Sequence, residues 1–136
     1  MPLLLDTCAT IWLANDEPVS AETLDALRHA RETGEPVYVS PITAWELGLL
    51  VSRGRMNLLM TPERWFDRLL QAPGLRLADM PPEVLIASSF LPGTPPNDPA
   101  DRIIAATARE YGYRLVTRDR PLLDYAERGH LQALGC

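Results

Sequence analysis

Short apolar or β-branched runs at Leu3–Asp6, Pro36–Ser40, Leu75–Ala78, Arg114–Thr117 and, more weakly, Leu131–Leu134 read as strands. Segments with helical spacing separate them, at about Thr7–Asn15, Ala21–Thr33, Ile42–Arg53, Pro62–Gln71, Pro82–Phe90, Pro99–Tyr111 and Pro121–Arg128. Ser40-Pro41, Thr61-Pro62 and Asp98-Pro99 each pair a capping residue with a proline at the first helical position. Gly34, Gly54, Gly74, Gly112 and Gly129 stand where helices should stop. Strands separated by helices need parallel crossovers. The predicted fold class is therefore α/β, a three-layer α/β/α sandwich with a mainly parallel central sheet, in one domain spanning 1–136. The proline-rich "LPGTPPNDP" (Leu91–Pro99) reads as a loop within that domain, of the kind that borders sites.

Composition narrows the chemistry. An apolar share of 46% with a mean hydropathy of -0.08 suits a water-soluble globular chain, and no apolar run reaches membrane-spanning length. Met1-Pro2-Leu3 lacks the basic and apolar regions of a signal peptide, and Cys8 and Cys136 are too few for a disulfide framework or a zinc site, so a cytoplasmic protein is expected. Net charge is -5, and all 13 basic residues are arginines. Without lysine there is neither a phosphate-binding P-loop nor Schiff-base chemistry, and a response-regulator receiver is excluded on the same ground. "DTC" lacks the second aspartate that haloacid-dehalogenase-like phosphatases need. Nor do Cys8, Ser88, Ser89, His29 and His130 form a nucleophile–base pair; both histidines are expected at the surface.

Four carboxylates occupy unusual places. Asp6 ends the first strand run and Asp119 follows the fourth, so both belong at the carboxyl edge of a parallel sheet, where ligands bind. At about 100° per residue, Glu46 falls between Ile42 and Leu50, with Trp45 and Leu49 on the same side, within the apolar face of its helix. Asp101 shares a face with Ile104, Ala105 and Ala108. Each acid has an ordinary explanation: a helix cap for Asp6, a salt bridge for Glu46, favourable placement in the helix dipole for Asp101. Asp98, just before Pro99, is the expected N-cap. Together, however, four like charges at one edge would repel strongly unless cations intervene. An all-oxygen donor set selects Mg²⁺ or Mn²⁺ over zinc, and carboxylate-held ions of this kind serve phosphodiester hydrolysis.

"LLLDT", the glutamate in "SPITAWELGLLVSRGR", "DPADRIIAATA" and "LVTRD" occur in an order and at spacings that resemble the PIN domain, and more narrowly the VapC ribonuclease toxins of type II toxin–antitoxin systems. The resemblance covers nearly the whole chain. It implies metal-ligand or catalytic roles for Asp6, Glu46, Asp101 and Asp119, with Thr117 as the hydroxyl beside the last acid, Thr7 following the first, and Asp98 matching an extra acid found in part of the family. It also implies Mg²⁺ or Mn²⁺ dependence, homodimerisation and a cognate VapB-like antitoxin. The expected activity is endoribonucleolytic hydrolysis of RNA. The acidic net charge argues mildly against a nucleic-acid partner, but discounting the four site acids changes it from -5 to -1. Arg53 and Arg55 in "SRGR", and Arg114, Arg118 and Arg120 around the last acid, are candidate RNA contacts. The alternative is a catalytically silent PIN-like module that binds RNA or protein; a DNA flap nuclease would carry more acids and extra helices.

Overall fold

The computed structural model describes residues 1–136. Its elements run β1 (Leu3–Leu5), α1 (Thr7–Ala14), α2 (Ala21–Thr33), β2 (Val37–Val39), α3 (Pro41–Ser52), α4 (Pro62–Leu70), β3 (Leu75–Leu77), α5 (Pro82–Ala87), α6 (Pro99–Tyr111), β4 (Arg114–Thr117), α7 (Arg120–Glu127) and β5 (Gln132–Gly135). The expected strands and helices are all present, and only α5 ends more than one residue from its predicted position. The amides of Ser89 and Phe90 bond to the carbonyls three residues back, so the helix tightens into a turn ahead of Leu91-Pro92.

The sheet has five strands in the order β3-β2-β1-β4-β5, and each neighbouring pair is parallel. Connections go outward from β1 toward β2 and later return to β4 on its other side. The β1–β4 junction is therefore the topological switch point of the sheet. Alternate residues of β1 face opposite layers: Leu3 and Leu5 pack with Ala9, Ala30, Val39 and Val116, while Leu4 packs with Ile104, Ala105, Leu115, Leu122 and Tyr125. Helices α1, α2 and α4 cover the first face, α6 and α7 the second, and α3 lies against α1, α4 and α6. The small side chains of Ala105 and Ala108 bring α6 close to the sheet, as their spacing predicted. No helix is long and apolar enough to cross a membrane.

The proline-rich loop is tied to the far end of α7. The Tyr125 hydroxyl donates to the Pro92 carbonyl at 2.6 Å, and Arg128 reaches the Thr94 carbonyl at 3.3 Å. His130, expected at the surface, is half-buried: its ring stacks on Tyr125 at 4.8 Å and leaves no room for a side chain at Gly93, whose φ is +68°. Since Asp119 caps α7 and the loop leads into Asp98, one helix braces two segments of the acidic edge.

Candidate active site

The backbone delivers the four acids to the carboxyl edge. Asp6 follows β1 directly; its N–H donates to the Val116 carbonyl at 3.1 Å, so the residue still belongs to the β1–β4 ladder. Its Oδ1 accepts from the Ala9 N–H at 2.8 Å and caps α1. Its Oδ2 accepts from the Thr117 hydroxyl at 2.5 Å. Capping and site placement are thus served by different oxygens of one carboxylate, which is only 5% exposed. Asp119 caps α7 through the Leu122 N–H, and its own N–H donates to Thr117 Oγ1 at 3.0 Å. Thr117 therefore bridges the first and last acids.

Glu46 projects from α3 toward α1. Its Oε1 accepts from the Thr7 hydroxyl at 2.5 Å, and Thr7 Oγ1 lies 3.0 Å from Thr43 Oγ1. No arginine pairs with it, so the salt-bridge explanation fails. Asp101 sits in the first turn of α6, whose cap is Asp98: the Asp98 Oδ1 accepts from the Asp101 N–H at 3.0 Å.

The electrostatics show that these groups share one field. Burial raises the Asp101 carboxyl to about 7, with Asp119, Asp98, Glu46 and Asp6 pushing in the same direction. Burial also raises Asp6, against the lowering bonds from Thr117 and Ala9, and Asp119 adds to the rise. Glu46 is raised by burial, offset by its bond from Thr7, with Asp98 and Asp6 contributing. Cys8, exposed in the first turn of α1, registers the same cluster. Its thiol is pushed up to about 11 by burial of the sulfur and then by Asp6, Glu46, Asp101 and Asp119, which leaves it a poor nucleophile.

The donor set suits a hard divalent cation: it is all carboxylate and hydroxyl, and it favours any positive partner, a proton included. In the present side-chain arrangement no three of the acids reach joint ligating distance of one point. Hydroxyl groups hold Asp6 and Glu46 in place.

The PIN domain model matches residues 3–128, nearly the whole chain. This chain belongs to the PIN-domain family. A curated relative, ribonuclease VapC22 of Mycobacterium tuberculosis (strain ATCC 25618 / H37Rv), is 37% identical over 121 residues, 88% of each chain. Among solved structures, VapBC2 from Rickettsia felis, bound to a DNA fragment from their promoter, superposes with a TM-score of 0.70 at 19% identity, covering 100% of this chain and 99% of that one. DNA-bound VapBC from Salmonella typhimurium gives 0.66 at 20% identity over 99% and 98% of the two chains. These two likenesses establish the fold alone.

Several expectations for this PIN domain change in the folded protein. Helix α3 is apolar nearly all round, so its sequence did not define a face. Its fully buried residues are Thr43 and Leu47, while Trp45, expected beside Glu46, is 55% exposed. Among the candidate RNA contacts, Arg53 and Arg55 are exposed and unpaired. Arg114 starts β4 and so lies at the opposite edge of the sheet. Arg120 is engaged by Asp124 and Glu127 at 2.8 and 2.9 Å. Arg118 is exposed, stacks over Trp12 at 3.9 Å and donates through Nη2 to the Cys136 and Pro18 carbonyls. Thr43 was not singled out in the sequence, although it stands three residues before Glu46, one helical turn away.

The raised acids fix the sign of a pH effect. Asp101 binds its proton more tightly in the native state than at its ordinary value of 3.8, so metal-free stability falls as pH climbs from there to about 7. Asp6 and Glu46 act in the same direction. Urea unfolding in EDTA at pH 5 and pH 8 should therefore show the parent losing more stability over that interval than Asp101→Asn. Equal losses in both proteins would mean that Asp101 does not feel the cluster.

Proposed function

We propose that this PIN domain is a Mg²⁺- or Mn²⁺-dependent endoribonuclease toxin, acting in the cytoplasm and silenced by a cognate VapB-like antitoxin. The 37% identity to a protein named as a VapC ribonuclease supports the activity. The observation that carries the reading is that Asp6, Glu46, Asp98 and Asp119 all act on the half-buried Asp101 while no arginine forms a salt bridge with any of the five. A silent binding module has no need to hold carboxylates against their mutual repulsion, whereas a metal-dependent nuclease does.

Asp6, Asp101 and Asp119 are assigned as the direct ligands, and Glu46 as a ligand or as the group that orients water. The bound ion would neutralise charge on the phosphate and activate the attacking water. The protein holds these acids at one edge of the sheet, and their side chains would turn inward to meet on one ion. Thr117 fixes Asp6 relative to Asp119, Thr7 fixes Glu46, and Asp98 caps the helix that carries Asp101. Arg53 and Arg55 at the end of α3 are assigned to the RNA backbone, where their role is electrostatic. Homodimerisation follows the family resemblance, and Ile86 and Phe90, 63% and 81% exposed around α5, give it an apolar face.

Silencing fits the same electrostatics. Helix α4 carries Trp65, Phe66, Leu69 and Leu70, yet buries none of its residues fully. Beside it, between α1 and α2, runs a groove of about 840 Å³ lined by Leu5, Leu13, Leu27, Leu69 and Leu75, extending to Gly34, Glu35 and Gly74 at the amino edge of the sheet. We assign an antitoxin's apolar segment to that groove and its arginine to the acids, which a guanidinium bonds with two parallel donors.

Two experiments test the function. With Mn²⁺ and purified protein, Asp6→Asn and Asp101→Asn should each lower RNA cleavage by about 100-fold or more, while the metal-free thermal midpoint of Asp101→Asn holds or rises. Full activity in both variants would overturn the site assignment. In the second, a peptide from the antitoxin should inhibit cleavage, and added Mn²⁺ should partly restore it. Replacing the peptide's arginine by alanine should weaken inhibition more than binding. Inhibition indifferent to both changes would mean that the partner covers the RNA path instead.

A further inference from the structure

Thr43 is fully buried, and its hydroxyl is not the one that caps its own helix. The start of α3 is already served by Ser40, whose Oγ accepts from the Ile42 N–H at 3.1 Å and whose carbonyl accepts from the Thr43 N–H at 3.0 Å. A valine would fill the same shape without the cost of burying a hydroxyl. The Thr43 hydroxyl instead crosses to α1 and meets Thr7 Oγ1 at 3.0 Å.

Proton counting gives that contact a direction. Thr7 has one hydroxyl proton, and it donates that proton to Glu46 Oε1 at 2.5 Å. While Glu46 is ionised, Thr7 Oγ1 accepts from Thr43, so the chain runs from Thr43 through Thr7 to Glu46. With one lone pair occupied by Thr43, Thr7 is held with its proton aimed at the carboxylate, and donation into Thr7 strengthens its own bond onward. Thr43 and Glu46 lie one turn apart on α3, while Thr7 stands on α1 directly after Asp6. The relay thus fixes Glu46 relative to the strand end that carries the first acid.

We propose that Thr43 is a positioning residue of the site, acting through Thr7 to hold the Glu46 carboxylate in register with Asp6. The proposal rests on the reading of Glu46 as part of a nuclease site, and it makes Thr43 a determinant of turnover that touches no substrate.

The test compares Thr43→Val, which keeps the shape and removes the donor, with Thr43→Ser, which keeps the donor. Thr43→Val should lower kcat for RNA cleavage by about 10-fold, with KM little changed, and Thr43→Ser should retain most of the parent's turnover. Thr43→Val at parental kcat, or Thr43→Ser falling as far as Thr43→Val, would overturn the proposal. A second measurement does not depend on RNA cleavage. In a double-mutant cycle on urea unfolding, Thr43→Val should cost more stability in the parent than in Glu46→Ala, because the relay then has no carboxylate to hold. Additive costs would refute the relay even in an active enzyme, whereas coupling in a protein that cleaves no RNA would preserve the relay and count against the nuclease reading.

Discussion

A carboxylate only 5% exposed at the end of a central parallel strand is the constraint around which this edge of the sheet is arranged. Asp6 is satisfied by a backbone N–H on one oxygen and a hydroxyl on the other, and both are neutral donors. They keep the group hydrogen-bonded without cancelling its charge. Asp119 raises the proton affinity of Asp6 and Asp101, Glu46 raises that of Asp101, and Asp6 raises that of Glu46 and Asp101. The fold meets the demand for hydrogen bonds. The demand for positive charge stays open.

The chain keeps its own cations away from that demand. It has no lysine. Arg118, next to Asp119 in sequence, is held by the Trp12 ring and by two backbone carbonyls, and it is the weakest of the influences on Asp6. Arg120 turns along α7 to Asp124 and Glu127, and Arg114 lies at the other end of its strand. The counter-charge must come from outside the chain. Under the proposed function, a metal ion supplies it in the active state and a partner's guanidinium in the silenced one. The two states then differ in which cation occupies a single recess.

Much of this was legible in the sequence because local signals agreed with the global fold. Ser40-Pro41, Thr61-Pro62 and Asp98-Pro99 each start a helix with the expected cap, and Gly34 and Gly112 end helices in the left-handed conformation. Asp6 and Asp119 could be assigned to one edge because parallel strands all end there. What the sequence hid was relative orientation between elements. In a helix as uniformly apolar as α3, periodicity does not report which side faces α1, so Trp45 was misplaced and Thr43 passed unnoticed. The fate of Arg118 was hidden for a related reason. Its partners, Trp12, Pro18 and Cys136, are distant in sequence; the β1–β4 pairing brings α1 beside it, and the β4–β5 pairing brings Cys136.

Under the proposed function, the field that raises the Asp101 carboxyl to about 7 is also the field that holds the divalent ion. Metal and proton then compete for the same charge. Calorimetric titration of Mn²⁺ into the protein at pH 7, repeated in buffers of different ionisation enthalpy, measures the protons released per ion bound. Saturable binding with net proton release, clearly smaller in Asp101→Asn, is the predicted result. Binding that releases no protons in the parent, or the same number in the variant, would contradict it.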